Sequence, residues 1–347
     1  MDEFNMANFY INRTLIVDEL PIDGRPKFYM FGINNYTNMY DQAIALAEMM
    51  YIENEFPDYE YVEIMSEVDE VIPIIKKNLQ PQDIIAFTGG STMGNLYSKD
   101  EEARRKVFST FTDNLNISFP QSITFENSEQ GKIEKKKSQY AYNKNPNLVL
   151  VARDSHSFYE MQSTFRNSVI FTPDIALYLN SVSLEDIRTG ALLILHGDTK
   201  TIVGQSISNV VTEMIKPYPL KNDDTVFSKY KKIPPIIRQS AYEEELKTFS
   251  QQKIVITDSW HAMIFAVITG TPCLLFGNNY SKGKYAYSDW LEHISWVNYT
   301  EEDNYEYIKP LINSLLAEKA HEYNFKRNFQ QLHDTIARYV GKNLLSL

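Results

Sequence analysis

The 347-residue sequence has few of the residues that support redox or metal chemistry. It contains one cysteine, Cys273, which excludes an intrachain disulfide and lies in an apolar run typical of a packing residue. The six histidines are scattered, and neither CxxC nor HExxH occurs. We therefore expect no metal ion and no redox cofactor.

Long hydrophobic runs and an excess of positive charge are also absent. No stretch of about twenty apolar residues could span a bilayer, and the first ten residues lack the order of a signal peptide, which predicts a soluble, cytoplasmic protein. The net charge of −11 argues against nucleic acid as a partner. The lysines at residues 132–137 are interrupted by Glu134 and are typical of a solvated helix face.

The residues that are present indicate a globular α/β protein. With 43% apolar and 23% charged residues, the chain is long enough for two domains, which we place at 1–180 and 181–347 because residues 180–190 are polar. Strand-like and helical patterns alternate, with strands expected at 27–33, 59–64, 83–88 and 116–120 and a glycine-rich turn at 89–97. The economical architecture is two α/β halves that face a cleft.

Residues 253–277 form the most informative segment. An apolar run ends at Thr257, a helical pattern follows, and a second apolar run begins after Pro272, which predicts strand, helix, strand. Asp258, Ser259 and His261 then lie at the carboxyl end of a parallel strand, where such sheets bind ligands and where the helix start favours anions. The alternative is that Asp258 or Ser259 caps the helix and His261 is a buried structural residue.

Two further segments predict anion contacts. Arg153 ends a strand at 148–152, where a guanidinium could hold a carboxylate or phosphate; an ion pair with Asp154 or another carboxylate is the alternative. Lys282 could make a second phosphate contact or be solvated. Gly89, Gly90 and Ser91 occupy the position of a ligand-binding loop, although they match no phosphate-loop signature and could form a simple turn.

At these residues the chain resembles the polysaccharide pyruvyl transferase family. The similarity follows six motifs in order: YTNMYDQAI at 36–44, GGSTMGNLY at 89–97 with FPQSI at 119–123, ARD at 152–154, PD at 173–174, TDSWHA at 257–262 and NNYSK at 278–282. The resemblance implies two Rossmann-like domains arranged as in GT-B glycosyltransferases. It also implies transfer of a pyruvyl group from phosphoenolpyruvate, as co-substrate, to a sugar hydroxyl with ketal formation in cell-surface or exopolysaccharide biosynthesis.

The resemblance also implies roles for individual residues. His261 is expected to be the acid/base, oriented by Asp258, while Arg153 and Lys282 hold the donor anions. The second domain would be the donor side and the first the acceptor side, together with Arg153. Donor contacts are expected from Arg153, Ser259, Trp260, His261, Asn279 and Lys282, and acceptor contacts from Asn38, Asp41, Gly89, Gly90, Ser91, Asn95 and Gln121.

Several positions depart from the family pattern. Ser259 stands where many members have arginine, Tyr40 and Asn95 replace a glycine and an acid, and Gly277 replaces an acid. Two other functions stay open: a glycosyltransferase whose nucleotide-sugar donor stacks on Trp260, and a catalytically silent binding partner. The acceptor would be a nucleotide- or lipid-linked saccharide, and the sequence leaves peripheral membrane contact and homo-oligomerisation open.

Overall fold

The structure is a computed structural model that describes residues 14–15, 24–34, 38–65, 67–182, 187–195, 205–222, 232–277, 282–319 and 322–344. The first half contains these elements in chain order: β1 (Thr14–Leu15), β2 (Lys27–Phe31), α1 (Met39–Glu55), β3 (Glu60–Ile64), α2 (Val68–Asn78), β4 (Ile84–Phe87), β5 (Gly90–Gly94), α3 (Ser98–Thr110), β6 (Leu115–Thr124), α4 (Glu129–Tyr142), β7 (Leu148–Ala152), α5 (Ser155–Thr164), β8 (Ser168–Phe171) and a 3-10 turn (Ile175–Tyr178).

The second half contains β9 (Gly190–Ile194), α6 (Gln205–Ile215), β10 (Leu220–Asn222), α7 (Pro235–Ser250), β11 (Gln252–Thr257), α8 (Trp260–Ile268), β12 (Cys273–Phe276), α9 (Lys282–Trp290), β13 (Val297–Thr300), α10 (Tyr305–Ala317), a 3-10 turn (Lys326–Phe329) and α11 (Gln330–Leu344). The predicted strand–helix–strand unit is therefore present at β11, α8 and β12. These strands are almost entirely buried because helices cover both faces of the sheet, as parallel sheets require.

The two parallel sheets confirm the predicted α/β fold, a GT-B-like fold with two Rossmann-like halves. The first has eight strands in the order β1-β3-β2-β4-β6-β7-β8, with β5 beside β6, and the second has five in the order β10-β9-β11-β12-β13. The strand order reverses between β2 and β4 in the first sheet and between β9 and β11 in the second. Ligands of open α/β sheets bind at the carboxyl ends of the strands at such switch points.

Helix α1 lies between the two sheets. Twelve of its seventeen residues are buried, so it has no clear solvent face, and it contacts the 3-10 turn of the first half and α7 of the second. Its side chains belong to one continuous apolar core that also includes α8. Residues from both halves therefore meet along this helix.

Three details differ from the sequence prediction. Gly90–Gly94, expected within a turn, is a short strand, because β6 extends to Thr124 and pairs with it. The end of the chain, assigned by sequence to the second domain, packs on the first sheet: Tyr339 Oη donates to the Pro81 carbonyl at 2.6 Å. The segment 216–235, whose four prolines predict a loop, contains a short strand, because residues 220–222 form β10.

Candidate functional site

A pocket of about 110 Å³ opens at the switch point of the first sheet. Its walls come from the segments that follow β2 and β4, from the first turns of α1, and from the start of α3. The described residues that line it are Gly32, Ile33, Asn34, Asp41, Ile44, Ala45, Thr88, Gly89, Gly90, Ser91, Thr92, Tyr97 and Asp100. Four predicted acceptor residues, Asp41, Gly89, Gly90 and Ser91, thus meet in one place. We call this space the acceptor pocket, after the role that the sequence resemblance predicts for these four residues.

The glycine-rich wall is held from below by a buried carboxyl group. Glu48, fully buried on α1, accepts from the Gly89 amide at 2.7 Å and from Thr88 Oγ1 at 2.9 Å. Burial raises the pKa of Glu48 to about 8. A side chain at Gly89 would lie 2.8 Å from the Pro120 carbonyl oxygen, and Gly90 has a φ of 121°, so both positions require glycine.

Two carboxylates face the acceptor pocket from the first turns of α1 and α3. Neither Asp41 nor Asp100 makes a hydrogen bond or ion pair to another described residue. Asp41 is exposed at the surface, yet protein surrounds its carboxyl group closely enough that lost hydration raises its pKa to about 6; Arg153 opposes this shift and Asp100 adds to it. Because water still reaches Asp41, we treat it as accessible to a ligand.

Arg153 lies beside the acceptor pocket at the end of β7 and is only 3% exposed. Its Nη1 pairs with Asp174 at 2.5 Å, its Nε donates to Ser122 Oγ at 2.8 Å, and its Nη2 donates to Ser91. The structure thus shows the ion-pair alternative, with Asp174 as partner rather than Asp154. Asp154 instead caps α5, where it accepts from the Ser157 amide.

The second switch point carries the residues predicted around His261. Ser259 is the N-cap of α8 and accepts from the Ala262 amide at 3.5 Å, so its hydroxyl serves the helix. Asp258 is 3% exposed at the end of β11, and His261 is partly exposed in the first turn of α8. Ser259 is therefore a helix cap, as the alternative interpretation predicts. Asp258 and His261 lie at the carboxyl edge of the second sheet, where sheets of this kind bind ligands.

Tyr40 connects the two switch points. Its ring stacks on His261 with centroids 4.0 Å apart and planes 14° apart. Its pKa lies well above the ordinary value because it is buried, with Asp174 adding to the rise and Arg153 and the Trp260 indole opposing it. Neither Tyr40 Oη nor Trp260 Nε1 makes a hydrogen bond of ordinary geometry to a described residue, although Tyr40 lies close to Asp174, Arg153 and Trp260.

A continuous series of contacts therefore leads from the acceptor pocket to the imidazole. Ser91 lines the pocket and binds Arg153, Arg153 pairs with Asp174, and Tyr40 lies beside that pair and against His261. We call the set formed by the buried residues Tyr40, Arg153, Asp174 and Trp260 together with the partly exposed His261 the junction. In the junction, only the Tyr40 side chain separates His261, the predicted acid/base, from the Arg153–Asp174 pair that supports the pocket.

The remaining predicted site residues have other roles or lie elsewhere. Asn38 caps α1 by accepting from the Tyr40 amide. The Asn95 side chain donates to the Glu126 carboxylate and accepts from the Glu126 amide. The buried Gln121 side chain donates to the Thr88 carbonyl and accepts from the Thr92 amide. These three side chains are engaged by protein. Asn279 and residues 278–281 lie outside the described residues, and Lys282 begins α9.

A second buried ion pair joins the two halves. Arg238 of α7 binds both carboxylate oxygens of Glu63, at 2.7 and 2.6 Å, and its Nε donates to Gln42 Oε1 at 2.9 Å. Arg238 and Glu63 are almost fully buried. Helix α9 adds another link, because Trp290 Nε1 donates to the Arg153 carbonyl at 2.9 Å. Sequence patterns gave no indication of these links, which depend on contacts between distant segments.

A wider depression of about 620 Å³ lies elsewhere, lined by residues 139–144 and 163–166. These residues precede β7 and β8, so the depression is at the amino edge of the sheet and not at the carboxyl edge, where ligands of such sheets bind. Among the described residues no group of three His, Cys, Asp or Glu side chains is arranged to hold a metal ion. In the same ranges, no helix combines the length and the apolarity needed to cross a membrane.

Comparison with known proteins identifies close relatives. A family model described as polysaccharide pyruvyl transferase matches residues 41–280. General stress protein 30 of Bacillus subtilis is 42% identical over 92% of this chain and 94% of its own length. Pyruvyl transferase 1 of Schizosaccharomyces pombe is 28% identical over 74% of this chain and 67% of its own length.

A solved structure supports the fold. An uncharacterized protein from Klebsiella pneumoniae superimposes with a TM-score of 0.53, covering 86% of this chain and 97% of the other. The two sequences are 16% identical, so the likeness concerns the fold.

Proposed function

Because the chain belongs to the polysaccharide pyruvyl transferase family, we propose that it transfers a pyruvyl group from phosphoenolpyruvate to a sugar and forms a ketal. The sugar would be part of a nucleotide- or lipid-linked precursor of a cell-surface or exopolysaccharide, and the reaction would occur in the cytoplasm. The observation that supports this most directly is the series of contacts that links the acceptor pocket to His261 through Arg153, Asp174 and Tyr40.

The proposed reaction requires proton movement at two places. A proton adds to C3 of phosphoenolpyruvate, one sugar hydroxyl adds to C2, phosphate leaves with its oxygen, and a second hydroxyl closes the ketal. The two hydroxyl protons are balanced by the one on C3 and the one on the released phosphate. The enzyme therefore needs a group that exchanges protons near C2 and C3 and a surface that orders the sugar.

His261 is the proposed proton carrier. It is partly exposed on one side and covered by the Tyr40 ring on the other, so its plane is fixed while one edge can reach a substrate. It belongs to the first turn of α8 and follows the buried Asp258 by three residues. Asn279 and Lys282, which follow β12 in sequence, are proposed to contact the donor.

Arg153 has a more limited proposed role than a bidentate clamp. Three of its five N–H groups already bind Asp174, Ser122 and Ser91, which leaves one on each terminal nitrogen. Because the side chain is 3% exposed, those two groups could donate to a donor oxygen only after a small opening of the junction. We propose that Arg153 mainly fixes Ser91 and the junction for the reaction.

The test is phosphate release from phosphoenolpyruvate in the presence and absence of a saccharide acceptor. We expect release only with acceptor, and a loss of about 10²- to 10⁴-fold in kcat for His261→Ala because a positioned proton carrier is removed. Arg153→Ala should also lose activity. His293→Ala and Arg105→Ala are matched controls, since His293 binds Tyr323 and Arg105 binds Glu134 outside the site.

Acceptor-independent release, or an active His261→Ala enzyme, would contradict the proposal. Thermal stabilisation by UDP or GDP without any by phosphoenolpyruvate would instead support the nucleotide-sugar alternative.

A further inference from the structure

The mouth of the acceptor pocket carries an exposed aromatic ring. Tyr97, which precedes α3, lines the pocket and is 52% exposed, and the adjacent Leu96 is 48% exposed. The Tyr97 side chain makes no hydrogen bond or ring contact with another described residue. An aromatic face beside a small polar cavity offers a flat apolar surface for a ring that has both C–H and hydroxyl groups.

The charge of the acceptor pocket is negative. A helix start by itself favours an anion, but the first turns of α1 and α3 already contain Asp41 and Asp100. None of the described lining residues is basic. Two buried arginines contact lining residues from behind: Arg153, which donates to Ser91, is paired with Asp174, and Arg104, which donates to Thr92, is paired with Glu101. An anionic group in this pocket would therefore meet two carboxylates without a compensating charge.

The size of the pocket fits part of one sugar ring. Its volume of about 110 Å³ corresponds to roughly four water molecules at about 30 Å³ each. This is enough for one edge of a pyranose, with the rest of the ring over Tyr97. When ionised, the carboxylates of Asp41 and Asp100 can only accept hydrogen bonds, which suits the neighbouring hydroxyl donors of a sugar.

We propose that the acceptor pocket selects a sugar ring without anionic substituents, stacked on Tyr97 and donating hydroxyl hydrogen bonds to Asp41 and Asp100. This inference rests on the proposed function, in which the ring is the acceptor. It assigns Tyr97 and Asp100, which sequence comparison did not single out, as specificity-determining residues. Rings with a carboxylate, sulfate or phosphate on the bound edge are rejected by the two aspartates.

The test measures binding in the absence of phosphoenolpyruvate. Saturation-transfer NMR and titration would compare methyl galactoside, methyl glucosaminide and methyl galacturonide. We expect the first two to bind and the galacturonide to bind at least about tenfold more weakly, or about 1.4 kcal/mol. Tyr97→Ala should weaken galactoside binding about tenfold. Tyr97→Phe keeps the aromatic ring and should therefore keep galactoside binding. Tyr159→Ala, which removes a tyrosine that is 68% exposed on α5, is the matched control.

Asp100→Asn should reduce the discrimination against galacturonide, because one of the two repelling charges is removed. Equal binding of galactoside and galacturonide, unchanged binding by Tyr97→Ala, or no binding of any glycoside would each overturn the inference. In the transfer assay, Tyr97→Ala should raise the KM for acceptor and leave the KM for phosphoenolpyruvate unchanged.

The outcomes separate this inference from the proposed function. Selective sugar binding without donor-dependent transfer would refute the proposed reaction and leave the pocket assignment intact. Transfer without selectivity against anionic rings would refute the pocket assignment and leave the reaction intact.

Discussion

The acceptor pocket and the junction are adjacent but differ in how their polar groups are satisfied. In the junction, Arg153 and Asp174 are almost fully buried and paired with each other. In the pocket, Asp41 and Asp100 have no hydrogen-bond or ion-pair partner among the described residues, and the pocket side chains of Ser91 and Thr92 are partly exposed. Buried charges without partners are costly, whereas charges that water still reaches keep part of their hydration.

This difference separates residues that hold the structure from residues that can bind a ligand. A group already bonded within the protein can bind a substrate only if that bond is replaced. A group that still faces water exchanges water for substrate hydroxyls at little cost. Under the proposed function, the pocket supplies the ligand contacts and most of the junction holds neighbouring side chains in position, with partly exposed His261 as the exception. Three predictions examine this division.

The largest expected effect concerns the ion pair between the two halves. Arg238→Met leaves the Glu63 carboxylate buried without its partner, so we expect a loss of about 3–5 kcal/mol in the free energy of unfolding. Urea unfolding followed by tryptophan fluorescence would measure it. Lys216→Met removes half of an exposed pair with Glu213 and is the matched control, for which less than about 1 kcal/mol is expected.

The double variant Glu63→Gln, Arg238→Met removes both charges and should recover much of the loss, because no unpaired charge remains. A loss under about 1 kcal/mol for Arg238→Met would show that the pair is hydrated and that the two halves are not held by it.

The second prediction concerns pH and Glu48. Burial, with smaller contributions from Glu63 and Asp174, raises the pKa of Glu48 to about 8, from an ordinary value of 4.5 in the unfolded chain. Its contribution to stability is therefore complete below about pH 4.5 and is lost as pH rises to about 8. The expected slope across this window is up to about 1.4 kcal/mol per pH unit.

Glu48→Gln removes this titration and keeps the oxygen that accepts from Gly89. The unfolding free energy of the variant relative to the parent protein should therefore increase between about pH 5 and about pH 8. Parallel stability curves over that range would mean that Glu48 stays ionised and that its bonds to Gly89 and Thr88 outweigh burial.

Strand and helix positions followed from sequence more completely than the roles of side chains did. The periodic apolar runs placed β11, α8 and β12 and the edge that carries Asp258 and His261, because burial in a parallel sheet requires such runs. Motif resemblance predicted that Asp41, Gly89, Gly90 and Ser91 share one site, and the four residues line one pocket. In both cases the signal is local along the chain.

Partners that meet only after folding could not be read in the same way. The pairing of Arg153 with Asp174, the stacking of Tyr40 on His261 and the bonds of Asn95 and Gln121 depend on segments far apart in sequence. Tyr40 was noticed only as a departure from the family glycine. A tyrosine at the start of an interdomain helix could have indicated such a contact.

The smallest expected effect distinguishes the acceptor pocket from the junction most directly. Asp100→Asn removes a charge that has no hydrogen-bond or ion-pair partner among the described residues, and the favourable interaction of this charge with the start of α3 offsets its repulsion from Asp41. We therefore expect the free energy of unfolding to change by no more than about 0.5 kcal/mol, measured by urea unfolding at neutral pH. A loss above about 2 kcal/mol would show that Asp100 is a structural residue, and the distinction between a binding pocket and a holding junction would then fail at this position.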